Sequence, residues 1–112
     1  MKIAIPTSDG KLDPHFGHCQ LFTFIEVDEE AKTITGAETL PPPPHEPGVL
    51  PVWLAEQGAN IIISGGMGGR AIALLEERNI RVILGAPLDT PEALAKTYLD
   101  GTLQEGKNAC DH

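Results

Sequence analysis

The stretch NIIISGGMGGRAIALLEERNIRVILG, residues 60–85, decides the fold. Ile61, Ile62 and Ile63 form a continuous apolar run of the kind buried on both faces of a parallel sheet. Ser64 and the glycine loop Gly65 to Gly69 follow. A helix from about Arg70 to Arg78 then puts Ala71, Leu74 and Leu75 on one side. Arg81 to Leu84 is another buried strand. Strand, helix and strand in that order imply a right-handed crossover and parallel pairing. Downstream, Thr90 caps a last helix with Pro91 at its first position, and Gly101 ends it.

Upstream the pattern is antiparallel. Lys2 to Pro6 reads as a short buried strand that Pro6 and the Thr7-Ser8-Asp9-Gly10 cluster terminate. A polar loop runs to about Cys19, and Leu21 to Asp28 is an apolar, aromatic second strand. Glu29, Glu30 and Ala31 make a tight connection, and Lys32 to Leu40 is an edge strand antiparallel to the second. Pro41 to Pro44 and His45-Glu46-Pro47-Gly48 form a stiff spacer, because proline has no amide to donate and restricts the residue before it. Pro51 suits the first position of a helix carrying Leu50, Trp53 and Leu54 on one face, and Gly58 suits the position just past its end. The expected fold is α/β, with a mixed five-stranded sheet, one antiparallel strand and about three helices. Residues 1–104 form one domain, with 105–112 as a tail.

The composition narrows the function. The chain has 112 residues, with sixteen acids against eight Lys and Arg and a net charge of −8. Nucleic acid and anionic membranes, which bind excess positive charge, are therefore not expected partners. No apolar run approaches the ~20 residues of a membrane span, and MKIAIPTSDGK turns polar too soon for a signal peptide. A cytoplasmic protein is expected, with its two cysteines as thiols or ligands rather than a disulfide.

Topology gathers the remaining motifs. With the first strand rising, the second falling and the third rising, three loops emerge at one sheet edge: residues 9–19, the loop holding His45, and the glycine loop. Open α/β sheets bind ligands at that edge. His15-Phe16-Gly17-His18-Cys19 places two imidazoles and a thiol in one loop. Mixed nitrogen and sulfur donors suit a transition metal or a metal–sulfur cluster. The competing reading makes the histidines solvated loop residues and Cys19 a small buried hydrophobe. Cys110 and His112 stand either as a second ligand arm or as a frayed terminus. Ten extended residues cover ~33 Å, against ~17–20 Å for a strand, so the tail is long enough to reach the site.

The glycine loop formally matches GxGxxA, but no acid ends the next strand, so a dinucleotide is not expected. It is not a P-loop, because no Gly-Lys-Ser/Thr follows. Its free amides and Arg70 favour an anion, including an anionic cluster; the competing reading is glycine used only for close packing. Catalysis gets little support. The first and fourth strands carry no carboxylate for a two-metal nuclease. Asp9, Asp13, Glu46 and Asp89 read as solvated turn and cap residues, and Trp53 reads as core.

Taken in order, Lys2-Ile3-Ala4-Ile5-Pro6, His15-Phe16-Gly17, His45-Glu46-Pro47-Gly48-Val49-Leu50-Pro51 before Trp53-Leu54, and Ile63 to Ala71 closely resemble the small single-domain dinitrogenase iron–molybdenum cofactor biosynthesis family (NifX-like). The resemblance runs from Met1 to about Gln104. It implies a ribonuclease H-like three-layer fold without a nuclease site, and membership among carriers of iron–molybdenum cofactor precursors or proteins holding molybdenum–copper or iron–sulfur clusters. By resemblance His15, Gly17, His45 and the Gly65 to Arg70 loop map onto the family's edge. Cys19 and the Cys110/His112 tail lie outside its general pattern.

The expected function is a non-catalytic carrier of a metal or metal–sulfur cluster, iron–sulfur or molybdenum-containing. Its metal ligands would come from His15, His18, Cys19, His45, Cys110 and His112. Gly65, Gly66, Gly68, Gly69 and Arg70 would hold the anionic cluster, and a cluster donor or acceptor protein would be the partner. The alternatives are a metal-free interaction or regulatory protein, and a small enzyme acting on an anionic substrate at the same edge. Cys19 is expected to be solvent-accessible, and Arg70 to bind charge without supporting the fold.

Overall fold

The computed structural model describes residues 1–13, 16, 19–44 and 48–103. Six strands and three helices follow one another as β1 (Lys2–Ser8), β2 (Lys11–Leu12), β3 (Leu21–Asp28), β4 (Thr33–Leu40), α1 (Val49–Glu56), β5 (Ile61–Ile63), α2 (Gly69–Glu77), β6 (Arg81–Ile83) and α3 (Pro91–Asp100). The sheet order is β4-β3-β1-β5-β6, with β2 paired to β1. β3 is antiparallel to both β1 and β4, whereas β5 runs parallel to β1 and to β6. This is the expected mixed sheet with one reversed strand. The sixth strand is a two-residue addition.

That addition comes from Asp9-Gly10, whose φ angles of 55° and 80° make a tight hairpin between β1 and β2. Both central residues need positive φ in such a turn, which is why Asp-Gly suits it. Nor does Pro6 end β1, as expected from sequence; it sits inside the strand opposite Phe22. Lys2 turns its backbone toward Asn60, so the even-numbered residues of β1 face β5. Registered pairing there stops at Ala4 with Ile62. The missing Pro6 amide therefore costs no ladder bond.

The helix ends follow their local chemistry. Thr90 Oγ1 accepts the Ala93 amide at 3.3 Å, Pro91 opens α3, and Gly101 closes it with φ 75°. Gly58, φ 84°, lies just past α1, with its amide on the Ala55 carbonyl. α1 begins two residues ahead of Pro51, at Val49, after the left-handed Gly48.

Two apolar layers flank the sheet. Ile3, Ile5, Ile25, Val27, Ile61, Ile63 and Ile83 pack with Leu94, Ala95 and Leu99 of α3 on one face. Ala4, Phe22, Phe24 and Ile62 pack with Leu54 of α1 and Leu75 of α2 on the other. Among the described residues, no helix is long and apolar enough to cross a membrane.

Candidate functional site

Parallel pairing of β1 with β5 puts the segment after Ser8 beside the glycine loop after Ile63, both at the C-terminal edge of the parallel strands. The first segment is tied down at both ends. The Asp13 amide donates to the Pro6 carbonyl at 2.9 Å, and Ser8 Oγ donates to Asp13 Oδ2 at 2.8 Å. The Gln20 amide bonds the Thr7 carbonyl at 3.1 Å, and Gln20 Oε1 accepts the Asp9 amide at 3.1 Å. Between them Phe16 is buried and meets Phe22 edge-on, ring centroids 5.9 Å apart. Trp53 packs against this cluster, 5.6 Å from Phe22 and 5.7 Å from Phe24, half-buried at the edge of the core.

Cys19 is half-buried against the same cluster rather than open to solvent. That corrects the expectation drawn from its polar neighbours, because packing against an aromatic core is a tertiary effect. Burial pushes the thiol from an ordinary 9.0 up to about 11, and the Asp13 carboxylate adds to the rise; hydrogen bonding at the Thr7 and Cys19 backbones opposes it. Asp13 is therefore more than a turn residue. Its charge bears on the thiol, which no spacing in the sequence signalled.

A prediction follows for a Cys110→Ser background. The folded protein should react slowly with iodoacetamide at neutral pH, and its rate should climb until pH approaches 11, while the unfolded chain levels off near 9. The folded state holds this proton more tightly than the unfolded one. The associated stability is thus complete below pH 9 and is lost as pH rises toward 11. Fast labelling of folded protein at neutral pH would contradict the raised thiol.

The glycine loop has two parts. Gly65 and Gly66 are buried, and Met67 is 1% exposed, wedged into the core with Phe16 and Phe22. Ser64 Oγ donates to the Gly66 carbonyl at 3.0 Å, and the Gly85 amide donates to the Gly65 carbonyl at 3.1 Å. Gly68 and Gly69 are exposed. Gly68 takes ordinary extended angles (φ −67°, ψ 150°) as the cap of α2, with no side chain bonded to the helix end. No described atom lies within 4 Å of a Cβ built at either glycine. Neither backbone conformation nor packing among the described residues requires glycine there. Arg70, next in line, is exposed and forms no ion pair among the described residues.

The other expected ligands, His15, His18, His45, Cys110 and His112, lie outside the described residues, as do Glu46 and the 105–112 tail. Among the described residues no three His, Cys, Asp or Glu side chains converge on one point.

The sheet order, with helices on both faces, is the three-layer α/β architecture, ribonuclease H-like, that the resemblance implied. The dinitrogenase iron-molybdenum cofactor family matches residues 1–101, and the chain belongs to that family. The uncharacterized protein MJ0580 of Methanocaldococcus jannaschii is 32% identical over 108 residues, covering 94% of this chain and 91% of its own. The crystal structure of PH0822 superposes with a TM-score of 0.85 at 28% identity over 94% of each chain. The apo form of the orange protein from Desulfovibrio gigas superposes with a TM-score of 0.73 at 26% identity, over 96% of this chain and 93% of that one.

Proposed function

We propose that this protein is a non-catalytic, cytoplasmic carrier that takes up a metal–sulfur cluster, iron–sulfur or molybdenum-containing, or a single transition metal, at the loop edge and passes it between a donor and an acceptor protein. The observation that carries this reading is the bare backbone at Gly68 and Gly69. Gly68 caps α2 and Gly69 opens its first turn; without side chains both leave free amides that an anion can approach closely. Gly65 and Gly66 lie beneath the surface, so they support the loop while Gly68, Gly69 and Arg70 would meet the cargo.

Cys19 supplies the soft donor, His15, His18 and His45 complete the set, and Cys110 with His112 form a second arm. Such donors suit soft metals and sulfide-bridged clusters. The family's association with iron-molybdenum cofactor supports the same cargo class.

The test uses untagged protein purified anaerobically and reconstituted with ferrous iron and sulfide, with and without tetrathiomolybdate. Loading is read by metal analysis and visible absorption. Gly69→Ala should not lower stability, since nothing described lies within 4 Å of the added Cβ and alanine suits a helix at least as well as glycine, and it should weaken loading. Arg70→Ala should weaken loading and leave the melting temperature unchanged. Wild-type loading in both variants would remove the glycine loop from the site.

A further inference from the structure

The two edges of the sheet are built differently. β6 is three residues long, which blunts its edge. β4 is eight residues long, has no proline within it, and is exposed along nearly its whole length. No described strand pairs with its outer side. A bulge opposite Glu26/Val27 sets Thr35 out of register, and beyond it Gly36 to Leu40 run in regular pairing with β3.

The direction of each backbone group follows from the ladder. The Val27 amide donates to the Met1 carbonyl at 2.9 Å, so odd-numbered residues of β3 face β1 and even-numbered ones face β4. Glu26, Phe24 and Phe22 lie opposite Gly36, Glu38 and Leu40. Those three residues bond inward. Ala37 and Thr39 therefore turn their N–H and C=O groups outward, the template that strand addition uses.

The same register argues against a second copy of this chain. Matching Ala37 with Thr39 across a two-fold axis sets the two Glu38 side chains face to face, a destabilising like-charge pair. Matching Thr39 with Thr39 runs each strand into Pro41, which has no amide. Matching Ala37 with Ala37 leaves three regular residues before the bulge. Charge also selects the partner. Glu38 is exposed without an ion pair among the described residues, and the chain carries −8 overall.

We propose that the Gly36–Leu40 edge of β4 is a docking strand for an extended segment of another protein, one that places Lys or Arg opposite Glu38. The surface leads directly into the Pro41–Pro44 segment. The docking does not depend on the carrier reading, and its test needs no metal.

The test titrates the full ¹⁵N-labelled chain with a capped eight-residue peptide of alternating valine and threonine carrying one central lysine. A twin peptide has glutamate in place of the lysine. Amide shifts should concentrate at residues 36–40, with slowed exchange at Ala37 and Thr39, and the lysine peptide should bind more tightly. Ala37→Pro and Thr39→Pro each remove one outward amide. Both should keep the wild-type circular dichroism spectrum and bind about threefold to tenfold more weakly, the range for one hydrogen bond. Glu38→Lys should reverse the peptide preference. No shift at millimolar peptide, equal binding of the twins, or undiminished binding by both proline variants overturns the proposal. Loss of fold in both proline variants also overturns it, since a free edge tolerates proline at its outward positions.

Discussion

Phe22→Ala should lower the unfolding free energy by about 3–5 kcal/mol, the range for deleting a buried aromatic ring. Phe22 is fully buried and is the meeting point of Phe16, Phe24 and Trp53, at centroid distances of 5.9, 6.5 and 5.6 Å. Such ring pairs add about 0.5–1.5 kcal/mol beyond burial. The neighbours come from three elements: the loop after β2, β3 itself and α1. No one of them can collapse into the void without dragging its own element. Urea titration should show a lower midpoint with unchanged slope. Phe22→Leu should recover most of the loss, because it keeps apolar volume. A cost below about 1 kcal/mol for the alanine variant would mean the cavity closes, and the cluster would not be anchoring the loop through Phe16.

The same cluster marks where sequence reading runs out. The parallel half was legible because the unbroken β-branched run Ile61–Ile63 suits a strand buried on both faces and the Ala71, Leu74, Leu75 spacing suits a helix, and Thr90-Pro91 and Gly101 bound α3 by local chemistry alone. The β3–β4 hairpin was legible for the same reason. β2 was missed, although Asp9-Gly10 is a strong hairpin signal, because two residues are too few to show alternation. Pro6 looked like a stop because its tolerance depends on where β5 ends, which is a tertiary fact. Cys19 sits among polar residues in sequence but packs against the aromatic cluster in space, so its half-burial had no local mark. Met67, surrounded by glycines, reads as loop and acts as core. At Gly68 and Gly69 the sequence left packing and ligand approach equally open. Among the described residues nothing packs against a Cβ at either position, which only the folded chain could reveal.

Cys19→Ser should reduce reconstituted metal to background, the largest functional effect expected of any single substitution. Within the His15 to Cys19 loop a thiolate is the one soft donor, and serine offers an oxygen that soft metals and sulfide-bridged clusters bind poorly. The raised thiol sharpens the expectation. At neutral pH Cys19 holds its proton, so loading must release it, and loading should strengthen as pH rises. Desolvation, the main cause of the rise, disfavours a bare thiolate but not a thiolate neutralised by a bound cation. His18→Ala should weaken loading without abolishing it, since an imidazole can be replaced by water or by a neighbouring donor. Cys110→Ser separates two uses of the tail. A loss equal to that of Cys19→Ser means the tail closes the site, and a small loss means it is an auxiliary arm. Each unloaded variant should melt at the wild-type temperature, which separates ligand loss from unfolding. If all three variants retain wild-type metal, the histidine loop holds no cargo, and the docking strand on β4 becomes the main clue to what this protein does.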